Sequence, residues 1–326
     1  MAPITLAEAK KNTQEDYDPF VIDEFRKVSA LLDGMIFDDA VNPAGGGATL
    51  TYGYRRLVDQ ANAAFRALNS EYTDQAVTTV QKSVNLAVLG GSFSIDRVVA
   101  KLGPAASGQI ALHIAQLAKA ASAKFQDALI NGDTATDANG FDGLSKALTG
   151  SATEITSTAD WSDFDTNPRA EHKALDVIDE FLMSLDGAPT FLVANKAALA
   201  RVRAAVRRSG QYVKDPVEGL VGPSGRPVER ETYGGITLID AGEKPGSSAP
   251  VIPVDGATKK TDIYAIRVGL DGFHAVTTVG SQVIQTWLPD FSTSGAVKRG
   301  EVELGPVGCA LKATRAAAVL RGVKVA

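Results

Sequence analysis

Cysteine is almost absent from this chain: Cys309 is the only one among 326 residues. No internal disulfide can form, and no second thiolate exists to complete a zinc site. Synthesis in a reducing compartment fits. Cys309 alternates with Val307 and Leu311 and reads as a small buried hydrophobe rather than a reactive thiol. Histidine is scarce as well. His113, His172 and His274 fall in separate predicted elements, without the HxxxH or HxH spacing that would gather a metal, and read as packed or surface residues.

Aromatic residues make up only 6% of the chain, too few for a deep aromatic ligand pocket. No run of eighteen apolar residues occurs, so no membrane-spanning helix is expected. The first residues lack a basic region followed by an apolar one, so a secretory signal is not expected, and the protein reads as soluble and made in a cytoplasm. A basic excess is missing too: 33 Lys and Arg stand against 38 Asp and Glu, for a net charge of −5. Tight wrapping of nucleic acid is therefore not the dominant property. Charge is uneven, however. Residues 1–40 hold nine acidic and four basic residues, and 297–326 hold six basic and two acidic, which leaves room for local nonspecific DNA contact.

Motifs that carry chemistry are also lacking. There is no GxSxG elbow, no GxxxxGK[ST] loop and no GxGxxG turn. Gly45-Gly46-Gly47 has no strand before it and no helix after it to cradle a phosphate, and reads as a hinge. The pairs Asp38-Asp39 and Asp163/Asp165 lack calcium-loop spacing and read as solvated turns. No catalytic, cofactor-binding or metal-ligating residue emerges, and no cofactor is expected.

What is present is an ordered series of elements. In a polar, acidic first segment, Val21, Phe25, Val28 and Leu32 recur at helical spacing. Strands are predicted at 48–58, where Tyr52 and Tyr54 alternate with smaller residues, and at 77–88, through Val84, Leu86 and Val88. Between them lies a polar stretch containing Arg66, Glu71 and Asp74. A two-stranded ribbon is marginal alone and exposes its edges, so it makes physical sense if a neighbouring subunit covers it. Gly90-Gly91 is expected to break the pattern. A long helix over 106–130 follows, with Ile110, Ile114, Leu117, Ala121, Phe125 and Ala128 on one stripe, Ser107 as N-cap and Asn131-Gly132 as stop.

A loop-rich stretch, 133–167, separates this from an α/β section. That section comprises a helix over 169–185, a buried strand at 190–194, a cap at Asn195 and a helix closed by Gly210. Residues 213–232 and 241–260 read as loops, with a strand at 236–239 between them. Strands near 262–268, 274–288 and 300–312 complete the chain, with Gly305-Pro306 shifting the register of the last. Arg207-Arg208, after Arg201 and Arg203, is the densest basic cluster. It is either a solvated helix face or an inter-subunit or DNA-facing patch.

This order of elements resembles the HK97-type major capsid subunit of tailed bacteriophages. Residues 89–97 (LGGSFSIDR), 128–133 (ALINGD), 140–144 (GFDGL), 233–240 (YGGITLID) and 263–269 (IYAIRVG) are similar to actinobacterial-phage capsid proteins. The resemblance implies an α+β fold with an N-terminal arm (1–45), an E-loop ribbon (46–90), and the first part of a peripheral domain with its spine helix (91–168). An axial domain (169–272) and a strand-rich return (273–326) follow. It implies a structural protein rather than an enzyme, self-assembling into hexamers and pentamers of an icosahedral shell around double-stranded DNA. Its further partners would be a scaffolding protein, a portal protein and optionally a decoration protein. Arg55, Arg56, Arg66, Glu71, Asp74, Arg207 and Arg208 are the inter-subunit candidates. Two departures from the family matter. The arm is too short for a cleaved assembly domain, so scaffolding should be a separate protein. The only ribbon lysine is Lys82, on the return strand, so isopeptide crosslinks are not expected. An encapsulin-like nanocompartment is the alternative within the fold, and a soluble α+β enzyme the alternative outside it.

Overall fold

Strand β13 (Val297–Leu311) organises the first sheet of this computed structural model, which describes residues 30–41, 47, 49–100, 104–210, 213–221, 227–278 and 284–326. The helical face at 21–28, the hinge glycines 45 and 46, and the middle of the strand expected over 274–288 lie outside the described residues. On one side β13 pairs with β4 (Ala87–Asp96). On the other it pairs in succession with β12 (Ile284–Trp287) and β11 (Phe273–Thr277), and β1 (Phe37–Asp38) lies parallel to β11. The pairing with β4 shifts register between Leu304 and Val307, where Gly305-Pro306 cannot sustain the ladder.

Gly90-Gly91 does not break the pattern; β4 runs through it. A Cβ on Gly90 would lie 2.6 Å from the Val302 carbonyl oxygen, and one on Gly91 2.9 Å from Leu117 Cδ2. The glycines are close-approach positions where β13 and the long helix α3 (Pro104–Asn131) press on the strand. Helix α3 has 28 residues and spans about 40 Å at ~1.5 Å per residue. It opens at Pro104 rather than at a Ser107 cap, because proline's fixed φ and missing N–H suit a first helical position. It stops where expected, with the Gly132 N–H donating to Ala128 O at 2.9 Å. Ala121 and Phe125 from the expected stripe are buried, as are Leu129 and Ile130. Gln126, off that stripe, is buried too and donates its amide N–H to Ala241 O.

The second sheet runs in the order β5 (Glu154–Thr156), β14 (Ala317–Lys324), β10 (Lys260–Ile266), β6 (Phe191–Ala194), β9 (Ile236–Asp240), β8 (Pro227–Tyr233), β7 (Val213–Val221). Its central strands β14, β10 and β6 are buried on both faces. Tyr264, Ile266 and Val319 enter a core shared with α3, the first sheet and α4 (Leu144–Leu148). Ile263, Ala265 and Leu320 enter a second core with Trp161, α5 (Ala170–Met183) and α6 (Lys196–Arg208). Fully buried side chains such as Phe125 and Phe181 contribute about 1.5–3 kcal/mol each. Asn195 caps α6 as expected, accepting from the Ala198 N–H at 2.8 Å. Residues 213–232 are not a loop: β7 and β8 form an antiparallel hairpin at the sheet edge. Pro216 is tolerated on an edge strand and Pro227 as a first strand residue, so the prolines that suggested a loop mark an edge.

Two short helices, α1 (Ala30–Asp33) and α2 (Arg97–Ala100), flank the segment that holds the ribbon. The ribbon is a separate two-stranded sheet, β2 (Thr51–Asp59) against β3 (Thr78–Asn85), paired from Thr51↔Asn85 to Asp59↔Thr78. Residues 60–77 form its irregular tip, and all of them are exposed.

Candidate assembly interface

The two faces of β2 have different fates. Tyr52, Tyr54 and Arg56 point to the body of the subunit; Thr51, Gly53 and Arg55 are exposed on the other face. The Tyr52 hydroxyl donates to Asp38 Oδ2 at 2.7 Å, and the Tyr54 hydroxyl to Leu311 O at 3.0 Å. Arg56 donates to Leu311 O (2.6 Å), Lys312 O (2.9 Å) and Thr314 Oγ1 (2.9 Å), capping carbonyls at the end of β13. Burial and the Asp38 carboxylate hold the Tyr52 phenol well above its ordinary range. Burial also raises Tyr54, against the pull of Arg56. Beneath this root, Cys309 is buried and its thiol is pushed up to about 12 by burial. It is an inert core residue there.

The tip is built differently. Asn69 turns the chain at φ 64°, and Arg66 donates to Ala67 O (3.3 Å) and Ser70 O (3.1 Å) while lying 5.4 Å from the Tyr72 ring centroid. Phe65 and Leu68 are 107% and 92% exposed, and Tyr72, Glu71 and Asp74 are exposed beside them. The tip thus offers apolar and charged groups together, with no residue buried against its own subunit.

Among the expected contact residues, Arg55, Arg66, Glu71 and Asp74 are exposed on the ribbon. Arg56 is half-buried at its root. Arg207 and Arg208 lie elsewhere, at the end of α6 on the second core. Arg207 is exposed; Arg208 pairs with Asp165 at 2.7 Å and lies 5.8 Å from the Phe164 ring centroid. Asp163 accepts from the backbone of Asp165 and Thr166, so this acidic pair is a turn. Among the described residues no group of three or more His, Cys, Asp or Glu side chains could hold a metal.

A junction the sequence did not announce sits at the ribbon root. Asp38, Tyr52, His274 and Lys312 meet there, although they come from four distant segments. The one local signal is the recurrence of three large residues, Tyr52, Tyr54 and Arg56, on one face of β2.

This architecture aligns with solved shell structures over almost its full length. The chain is 17% identical to one in the holo-SrpI encapsulin complex from Synechococcus elongatus PCC 7942, covering 100% of this chain and 97% of that one at a TM-score of 0.61. It is 12% identical to the capsid of the native GTA particle, covering 99% of each chain at a TM-score of 0.63. It is 13% identical to a chain of Mycobacterium phage Bobi, again covering 99% of each, at 0.62. No protein-family model and no curated protein matches the chain. At these identities the likeness establishes the fold alone: the chain is α+β with the HK97-type fold.

Proposed function

We propose that this protein is the major capsid protein of a tailed bacteriophage, self-assembling into hexamers and pentamers of an icosahedral shell that encloses double-stranded DNA. The carrying observation is the ribbon, a two-stranded sheet whose tip leaves Phe65, Leu68 and Tyr72 in solvent. Covering these against a neighbour would stabilise the pair by about 1.5–3 kcal/mol per side chain. Repeated around a closed ring, such contacts sum without any single one being strong. Arg55, Arg66, Glu71 and Asp74 make the polar part of that contact, and Arg207 and Arg208 belong to a separate one. Arg56 already uses its donors inside the subunit, so the charge-dependent part of the ribbon contact falls to Arg55.

In this reading residues 1–45 are the arm; the part before Ala30 straps across an adjacent subunit, while α1 and β1 pack on their own subunit. Residues 46–90 are the ribbon and 91–168 the peripheral region with α3. Residues 169–272 are the axial region, whose segments 213–232 and 241–260 lie near the capsomer centre. A separate scaffolding protein and a portal complete assembly, and a decoration protein is an optional addition. The protein is a virion component with no catalytic role, and DNA contact is nonspecific. Among the described residues no helix is long and apolar enough to cross a membrane.

A nanocompartment holding a cargo protein is the second reading, favoured by the full-length likeness to the SrpI encapsulin complex. Electron microscopy of the expressed chain, alone and with its candidate scaffolding protein, tests both. Closed shells or capsomer rings are expected; a uniform monomer under both conditions overturns the shell. Packaged nucleic acid supports the phage reading, and a protein cargo the other.

A further inference from the structure

We propose that the half-buried junction of Asp38, Tyr52, His274 and Lys312 is a proton-operated latch that sets how firmly the ribbon is held to its own subunit. The inference concerns a single subunit and does not depend on the shell reading. One oxygen lies at its centre. Asp38 Oδ2, on β1, accepts the Tyr52 hydroxyl of β2 at 2.7 Å. The same oxygen lies 3.7 Å from His274 Nε2 on β11 and 4.0 Å from Lys312 Nζ, just past β13. His274 is fully buried, with Nε2 3.4 Å from the Tyr52 hydroxyl oxygen and its ring edge-on to the tyrosine at 5.8 Å. Lys312 Nζ lies 5.4 Å from the centre of the Tyr52 ring. This hydroxyl–carboxylate bond therefore ties the ribbon root to the sheet beside the Tyr54 and Arg56 contacts, and a histidine and a lysine face the same acceptor.

The ring is held neutral. Burial and the nearby Lys312 charge lower its pKa below the ordinary value of 6.5, while Asp38 and the Gly269 and Gly272 carbonyls pull the other way. Its Nδ1 makes no hydrogen bond, so the two glycine carbonyls offset only part of the cost of a charge. When acid does protonate the ring, the new imidazolium competes with the Tyr52 hydroxyl for Asp38 Oδ2. An ion pair charged at both ends has the advantage over a neutral donor. The sign follows from linkage. The latched form binds the proton less well than the released form. The latch is thus at full strength above the unperturbed histidine value and weakens as pH falls below it toward the lowered one.

The test is amide hydrogen exchange on the full-length chain between about pH 8 and pH 5, the range in which histidine titrates. Rates are corrected for intrinsic pH dependence, with β6 and β10 as the internal reference. In the wild type, exchange in β2 and β3 should rise by up to about tenfold for each pH unit below the unperturbed histidine value, and level off below the lowered one, while the reference strands stay protected. His274→Gln should remove this acid response. Tyr52→Phe should show fast ribbon exchange already at neutral pH, with no further rise in acid, and it provides a second route if the His274 variant fails to fold. Constant ribbon protection in the wild type across the range overturns the latch. So does an acid response that survives in either folded variant.

Discussion

At the scale of single residues, neighbours with the same charge do different work. Arg55 and Arg56 are adjacent, but strand alternation sends one to solvent and the other to the end of β13. Arg56→Ala leaves the carbonyls of Leu311 and Lys312 without their charged donor. It should weaken ribbon anchoring by about 1.5 kcal/mol, or roughly a tenfold rise in ribbon amide exchange. Arg55→Ala should leave exchange unchanged and act only on association, measured by sedimentation or electron microscopy. A second residue-scale case is Asp160. Partial burial opposes its charge, but hydrogen bonds from Lys324 and Ser162 win and hold its pKa at about 2. Because the folded value is depressed, the pair's stabilisation is complete above the ordinary carboxylate range and fades as pH falls through about 2. Side-chain exposure of 42% and 40% for Lys324 and Asp160 means solvent screens much of it, leaving less than about 1 kcal/mol. Asp160→Asn should be less stable than wild type by that margin at neutral pH and equal to it in strong acid. Urea unfolding across pH measures both.

At the scale of elements, the two glycines of β4 separate two kinds of close approach. On Gly90 a methyl group would meet the backbone of β13, which cannot move without losing strand pairing. On Gly91 it would meet the end of Leu117, which can rotate. Gly90→Ala should therefore cost about 2–3 kcal/mol and Gly91→Ala under about 1 kcal/mol in chemical denaturation. Equal costs would mean that the sheet yields more readily than its pairing implies. These glycines were misread in the sequence as a break, but patterns elsewhere were legible. The ribbon, α3 and α6 have apolar residues at the period of their own secondary structure, and each lies within a few residues of its expected place. Strand β14 was hidden because Ala317-Ala318-Val319-Leu320 is buried on both faces and so has no alternation to read. The β7–β8 hairpin was hidden by proline and glycine, which signal loops but are equally at home on an edge. The root junction was illegible for a different reason: Asp38 and His274 are brought together only by the parallel pairing of β1 with β11. No local pattern encodes that pairing.

At the scale of the whole molecule, the stability of the body and the proposed assembly contact fall to different parts of the chain. The two cores hold the sheets, α3, α5 and α6, and no residue of the tip at 60–77 is buried with them. Replacing 60–77 with a short hairpin turn should therefore leave thermal unfolding of the body within a degree or two of wild type, since surface changes of this kind rarely exceed about 0.5 kcal/mol. The same change should abolish shell formation, because it removes Phe65, Leu68 and Tyr72 while keeping the root contacts of Tyr52, Tyr54 and Arg56. Root and tip variants then dissect the ribbon. Weakening the root through Arg56 should alter how the ribbon is aimed and slow assembly, whereas deleting the tip should leave a rooted ribbon with nothing to bind. If tip-deleted subunits still close into normal particles, the neighbour contact does not depend on the tip. The exposed aromatic and aliphatic groups there would then need another partner to cover them.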